Sequence, residues 1–220
     1  KMLRVTDLFD LSHSLAGGWL AGFEYPHEAL AGIKDFILDV GKTLPAEEYE
    51  RRWEDVWVHK TAVVYPSALV KGPCVIGPKS EIRHGAFIRE SALIGENCVV
   101  GTACELKNVI LFDGVQVPHY NYVGDSILGY KAHMGAGAIT SNVRADKQPV
   151  VIKLDDTRLE TGRKKVGAFL GDEAEVGCNA VLNPGTVLGR RASVYPTASV
   201  RGVVPADHIC KIDGSRVKRV

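Results

Sequence analysis

Large aliphatic residues recur every six positions in one long stretch: Val58, Val64, Val70, Ile76, Ile82, Ile88, Ile94 and Val100. Four places after each stands a small residue: Ala62, Ala68, Cys74, Ser80, Ala86, Ala92, Cys98 and Cys104. The pattern resumes at Leu128 and Met134, and again at Leu170, Val176, Leu182, Leu188 and Val194. A period of six fits neither the 3.6-residue repeat of a helix nor the alternation of an ordinary strand. It is the signature of a parallel β-helix. One short strand per hexad turns the aliphatic residue inward, and the small residue fits the tight interior near a corner. Three hexads make one triangular coil. No coil buries its aliphatic face alone, so each depends on the coils stacked on either side. Each buried Ile or Val then contributes roughly 1.5–3 kcal/mol.

The rest of the chain is read from where this pattern fails. Residues 1–57 lie outside it. Ala29, Leu30, Ile33, Phe36, Ile37 and Val40 recur at helical spacing, with Pro26 near the start and Gly41 just past the end. This predicts an amphipathic helix. Pro45 followed by Ala46, Glu47 and Glu48 suggests a second short helix leading to Trp53 and Trp57. The segment 1–57 is expected to be a helical cap on the open first coil, as terminal units of repeat proteins require. The β-helix is expected over 58–207, broken at 106–127 and by a polar insertion at about 140–169. Such breaks map to loops on one face, often the binding face. The segment 208–220 reads as a basic tail carrying Lys211, Arg216, Lys218 and Arg219.

Composition adds few constraints. Across 220 residues, 45% are apolar, 24% are charged and the formal net charge is +1. These values are ordinary for a globular chain and give no reason to expect nucleic acid or an anionic membrane as partner. Of five cysteines, Cys74, Cys98 and Cys104 take the small inward position, where a thiol behaves as a small hydrophobe. Cys178 and Cys210 have no metal-like spacing, so a reduced, cytoplasmic protein is expected. The early apolar stretch Leu15–Phe23 is too short to span a bilayer, and the acidic residues before it are wrong for a signal peptide.

The segment "VPHYNYVGD", then "LGYKAHMGAGAITSN" and Lys147, resembles the acetyltransferase domain of the bifunctional glucosamine-1-phosphate acetyltransferase/N-acetylglucosamine-1-phosphate uridyltransferase. "AFIR" and "ELK" stand at that family's distances before the His, and "TGRKKVGA" is similar to the archaeal type of these sugar-phosphate enzymes. The resemblance covers about residues 58–205. It implies a left-handed β-helix, acetyl-CoA as co-substrate, an amino-sugar acceptor and a homotrimer. No metal is implied. It implies His119 as the catalytic base, and Arg89, Lys107, Tyr122, Asn142 and Lys147 around the acceptor. Ala136, with Gly135 beside it, implies a backbone contact to the thioester. Cys178 stands where the family usually has a Ser near that thioester, and Asn142–Val143 replaces an Asn-Tyr pair. Arg216, in the basic tail, is expected to contact CoA. The uridyltransferase half is missing: residues 1–57 hold no Gly-rich phosphate loop, so no nucleotidyl transfer is expected.

Elementary chemistry agrees with this reading. Acetyl transfer to an amine needs a base, and an imidazole is already poised near neutral pH. Glu105 is expected to orient the imidazole or favour its protonated form. The developing oxyanion needs a fixed N–H donor, and a phosphate on the acceptor calls for Arg89 and Lys107. Two other readings compete. A metal-dependent lyase on this scaffold needs two His five residues apart, a spacing absent from the sequence. A non-catalytic scaffold has no need of His119, Lys107, Arg89 and Asn142 at these mutual distances.

Overall fold

The computed structural model describes residues 3–220. The chain forms a parallel β-helix with three walls. The first wall stacks Val63–Val64, Glu81–Ile82, Val99–Thr102, Gln116–His119, His133–Met134, Glu175–Val176, Ser193–Val194 and His208–Cys210. The second wall runs from Leu69–Val70 through the first halves of three long strands, Phe87–Ile94, Glu105–Leu111 and Tyr122–Leu128, to Ile139–Thr140, Val181–Leu182 and Ser199–Val200. The second halves of the same long strands join Val56–His59, Cys74–Ile76, Ala168–Leu170, Thr186–Leu188 and Val203–Val204 in the third wall. The predicted aliphatic column lies inside. Ile76, Ile82, Ile88, Ile94, Val100, Leu128, Met134, Leu170 and Leu182 are fully buried. Cys74, Cys98 and Cys104 sit among them. The Cys98 and Cys104 thiols donate to the carbonyls of Phe112 and Val117 (3.2 and 3.1 Å), and burial pushes the Cys98 thiol up to about 12.

The break expected at 106–127 is not a loop. Glu105–Leu111, Gln116–His119 and Tyr122–Leu128 are strands in register with their neighbours. What changes is the step. Glu81 lies opposite Val99, but Val99 lies opposite Gln116, one residue sooner. The long strands cross the corner between the second and third walls on single residues with left-handed backbone, Ser91, Asn108 and Asp125 (φ 48°, 56° and 49°). Leu106, Leu111, Val117, Val123 and Leu128 still point inward and are buried. A strict six-residue template slips out of phase here, although the coil continues. The insertion at 140–169 is real but ordered. It leaves and re-enters the coil at that same corner, and carries the antiparallel hairpin Val151–Leu154/Thr157–Glu160, whose base buries Val150 and Ile152.

The N-terminal segment differs from the expected cap in two ways. Its helices, α1 (Val5–Leu8), α2 (Gly17–Leu20) and α3 (Ile33–Thr43, entered from a 3-10 stretch Pro26–Gly32), run lengthwise along the solenoid. Arg190 donates to Asp7 O (3.2 Å), Asp172 N to Leu8 O (3.0 Å), Asp113 N to His13 O (3.0 Å) and Asn108 Nδ2 to Leu30 O (3.1 Å). α3 then packs on the third wall. The segment is a strap laid across successive coils. No second helix follows Pro45: Tyr49–Trp53 is a strand, antiparallel to Val56–His59, and it covers the free edge of the first coil. The basic tail is likewise no tail. His208–Cys210 continues the first wall, and Arg216–Lys218 folds back antiparallel on it. Both ends of the solenoid expose unpaired backbone N–H and C=O groups, and at each end a returning strand pairs with those of one wall, the third at the start and the first at the finish. Among the described residues no helix is long and apolar enough to cross a membrane.

Where strap and insertion meet, His27 is 6% exposed, and its Nδ1, like Arg163 Nε, has no hydrogen-bond partner among the described residues. Burial, seconded by Arg163, lowers its pKa from 6.5, with Glu28 opposing. The unfolded chain therefore takes up a proton at His27 below about pH 6.5 while the folded chain stays neutral. Stability is full above pH 6.5 and declines as the pH falls from there towards the folded-state pKa. Urea midpoints at pH 7.5 and 5.5 should show this decline, and His27→Asn should flatten it. An equal slope in wild type and variant would assign the effect elsewhere.

Candidate active site

His119 ends the first wall at the corner leading to the second, because Pro118 and the left-handed Tyr120 (φ 53°) turn the chain there. Its side chain is exposed. Gly137 N donates to His119 O, Asn179 N to Ala136 O and Thr197 N to Cys178 O (3.0, 2.9 and 2.9 Å). His119, Ala136 and Cys178 thus occupy three successive coils of one corner. The N–H groups of Ala136 and Cys178 make no backbone hydrogen bond among the described residues. Gly135 permits this stacking: a Cβ there would lie 2.7 Å from Cys178 N.

A second group assembles on the outer face of the second wall and its far corner. Arg89 Nη1 faces Glu105 Oε2 at 3.7 Å, and both remain part-exposed. Lys107 Nζ lies 3.3 Å from each oxygen of Asp125. Asn142 Nδ2 donates to Asp125 Oδ2 (2.8 Å) and to the Tyr122 hydroxyl (3.3 Å). Asn108 Nδ2 donates to Asp125 Oδ1 (3.0 Å). The Tyr122 ring folds over Gly124, where a Cβ would meet its hydroxyl at 2.6 Å. Burial raises the Tyr122 phenol pKa, while the bond from Asn142 pulls it back.

Arg89, Lys107, Tyr122 and Asn142 are therefore brought together, but around a residue that sequence reasoning passed over. Asp125 is fully buried and accepts from three side chains. Its position at the end of "VPHYNYVGD" was the available signal. The assignment of Glu105 as partner of His119 is corrected: no hydrogen bond or ion pair joins them, and Glu105 is matched with Arg89. The reason is geometric, since Glu105 starts the second wall, past the corner that His119 approaches from the first. Lys147 stands exposed on the turn closed by its N–H to Arg144 O, with no contact to the cluster. Arg216 lies on the closing strand, its guanidinium donating to Arg201 O (2.6 Å), and makes no contact with Cys178. A groove of about 1060 Å³ lies over the opposite edge of the first wall. It holds His133, whose Nδ1 is 2.8 Å from Glu175 Oε2, but none of the residues above. Openness to solvent on both sides of that pair leaves it an ordinary exposed ion pair. Among the described residues no three His, Cys, Asp or Glu side chains converge as metal ligands.

The model for the family described as the GMPPB C-terminal domain matches residues 70–208. The chain belongs to that family. It is 32% identical over 189 residues to a bifunctional sugar-1-phosphate nucleotidylyltransferase/acetyltransferase of Sulfurisphaera tokodaii, a match spanning 70% of this chain and 47% of that protein. It is 30% identical over 152 residues to the uncharacterized acetyltransferase YaiX of Escherichia coli, over 61% of this chain and 66% of that one. Among solved structures, the polySia specific acetyltransferase NeuO superposes with a TM-score of 0.49 at 12% identity, covering 76% of this chain and 88% of that one. The chain thus spans about half the length of the first of these relatives. The resemblance seen in the sequence stands, since curated relatives bear acetyltransferase names and the solenoid is the expected fold.

Proposed function

We propose that this chain is an acetyl-CoA-dependent N-acetyltransferase acting on an amino-sugar phosphate of the glucosamine-1-phosphate kind, or on a related amine. The observation that carries the reading is the corner itself. An exposed imidazole at His119 stands one coil from an unengaged N–H at Ala136, with a second at Cys178 beyond it. In this reading the thioester lies along the corner with its carbonyl oxygen on the Ala136 N–H. The acceptor amine attacks the carbonyl carbon and His119 takes its proton. The same N–H holds the tetrahedral oxyanion, which re-forms the C=O as the C–S bond breaks, and the CoA thiolate leaves as the thiol by taking the proton that His119 received. Of the two cations, Arg89 is the better placed for a phosphate. Its own pair is long and solvent-exposed, whereas Lys107 is already held by Asp125.

One protomer offers only an open corner as a cofactor site, and a homotrimer would close it with neighbouring walls. Light scattering should therefore give three times the monomer mass, and acetyl-CoA should raise the melting temperature. Thiol release is then measured against glucosamine-1-phosphate and a panel of amino sugars with and without phosphate. A stable monomer that acetyl-CoA does not stabilise sinks the proposal.

A further inference from the structure

Each coil places one small residue inside the corner between the first and second walls: Ala68, Ala86, Cys104, Ala138, Ala180 and Ala198. On the coil that carries His119 this residue is Asn121, which is 2% exposed. A carboxamide among alanines is costly unless its polar atoms are bonded. Here they are, and the partners are specific. Asn121 Oδ1 accepts from the N–H of His119 (3.1 Å). Its Nδ2 donates to Gly135 O and to Ala138 O (both 2.9 Å). One side chain thereby closes the turn bearing His119 and spans both ends of the next turn, which bears Ala136. The Asn121 carbonyl also accepts from Glu105 N (2.9 Å), tying the coil on the other side.

We infer that Asn121 is a positioning residue, fixing the His119 backbone relative to the Ala136 N–H. The inference rests on the acetyl-transfer reading above. An alanine here keeps the small inward residue that other coils already use, but releases His119 N–H and the carbonyls on either side of Ala136. A catalytic group misplaced by about 1 Å costs on the order of 10²-fold.

The test compares Asn121→Ala, Asn121→Cys (the residue of the preceding coil), His119→Ala and the His119→Ala/Asn121→Ala double variant. Each is assayed as the full chain for thiol release, well below its own unfolding transition. Asn121→Ala and Asn121→Cys should lose roughly 10- to 100-fold in kcat, with KM for acetyl-CoA and acceptor within threefold of wild type. The double variant should be no slower than His119→Ala alone, because Asn121 acts through His119. A normal kcat in Asn121→Ala beside an inactive His119→Ala overturns the inference and leaves the acetyl-transfer reading intact. An active His119→Ala overturns the reading itself. Additive losses in the double variant, or loss of cooperative unfolding in both Asn121 variants, make Asn121 a purely structural residue and also overturn the inference.

Discussion

Replacing His119 with alanine should lower turnover by roughly 10²–10⁴-fold, the range general-base catalysis supplies, while leaving the melting temperature within a few degrees of wild type. The imidazole is exposed at a corner and takes no part in the inward column, so its removal opens no cavity. The two backbone bonds that hold the turn, from Gly137 N and to Asn121 Oδ1, do not involve it. His119→Asn should fail as completely, because a carboxamide cannot take up the proton. The measurement is thiol release from acetyl-CoA with whichever amine the wild type accepts. A variant within threefold of wild type would remove His119 from the mechanism.

Asp125→Asn should have the opposite profile, a large stability effect together with weakened acceptor binding. Asp125 is fully buried, and Lys107 is 13% exposed at 3.3 Å from it. Removing one member of a buried pair typically costs about 3–5 kcal/mol, because the other charge is left uncompensated. The lower end applies here, since Lys107 retains some access to water. The carboxylate also aims Asn142 and Asn108, and through Asn108 it binds the strap at Leu30. Acceptor KM should therefore rise more than KM for acetyl-CoA. Lys107→Met should destabilise comparably, and the Asp125→Asn/Lys107→Met double variant should be more stable than the sum of the singles predicts. Small additive losses would mean that the pair is not coupled.

How far the sequence could be read depended on whether each feature was local. The inward column, the helix after Pro26 and the insertion were legible, since hydrophobic spacing and turn residues mark them. The step at 106–127 was not. Its cause is the corner at Asn108 and again at Asp125, each one residue shorter than the corner through Ser91, and nothing in the side chains around Asn108 announces the loss. Tyr49–Trp53 and Arg216–Lys218 were misread because their strand character comes from the coil edges they pair with, and charged residues alone argue for helix or solvent.

The same division runs through the site. The sequence by itself determined that a β-helix forms, because a six-residue aliphatic period has only that way of burying its large side chains. That His119, Ala136 and Cys178 share one corner was decided by the stacking, since a shortened coil separates the first two and the insertion the last two. Only the tertiary structure decided which charges meet. Arg89 with Glu105, Lys107 with Asp125 and Asn121 with two turns are contacts between adjacent coils, and a residue lost at one corner shifts every such pairing. The strap, too, is held by hydrogen bonds to backbone and to Asp172, across 162 residues between Asp10 and its partner. Backbone acceptors leave no side-chain pattern, so contacts of that kind are visible only once the coils are stacked.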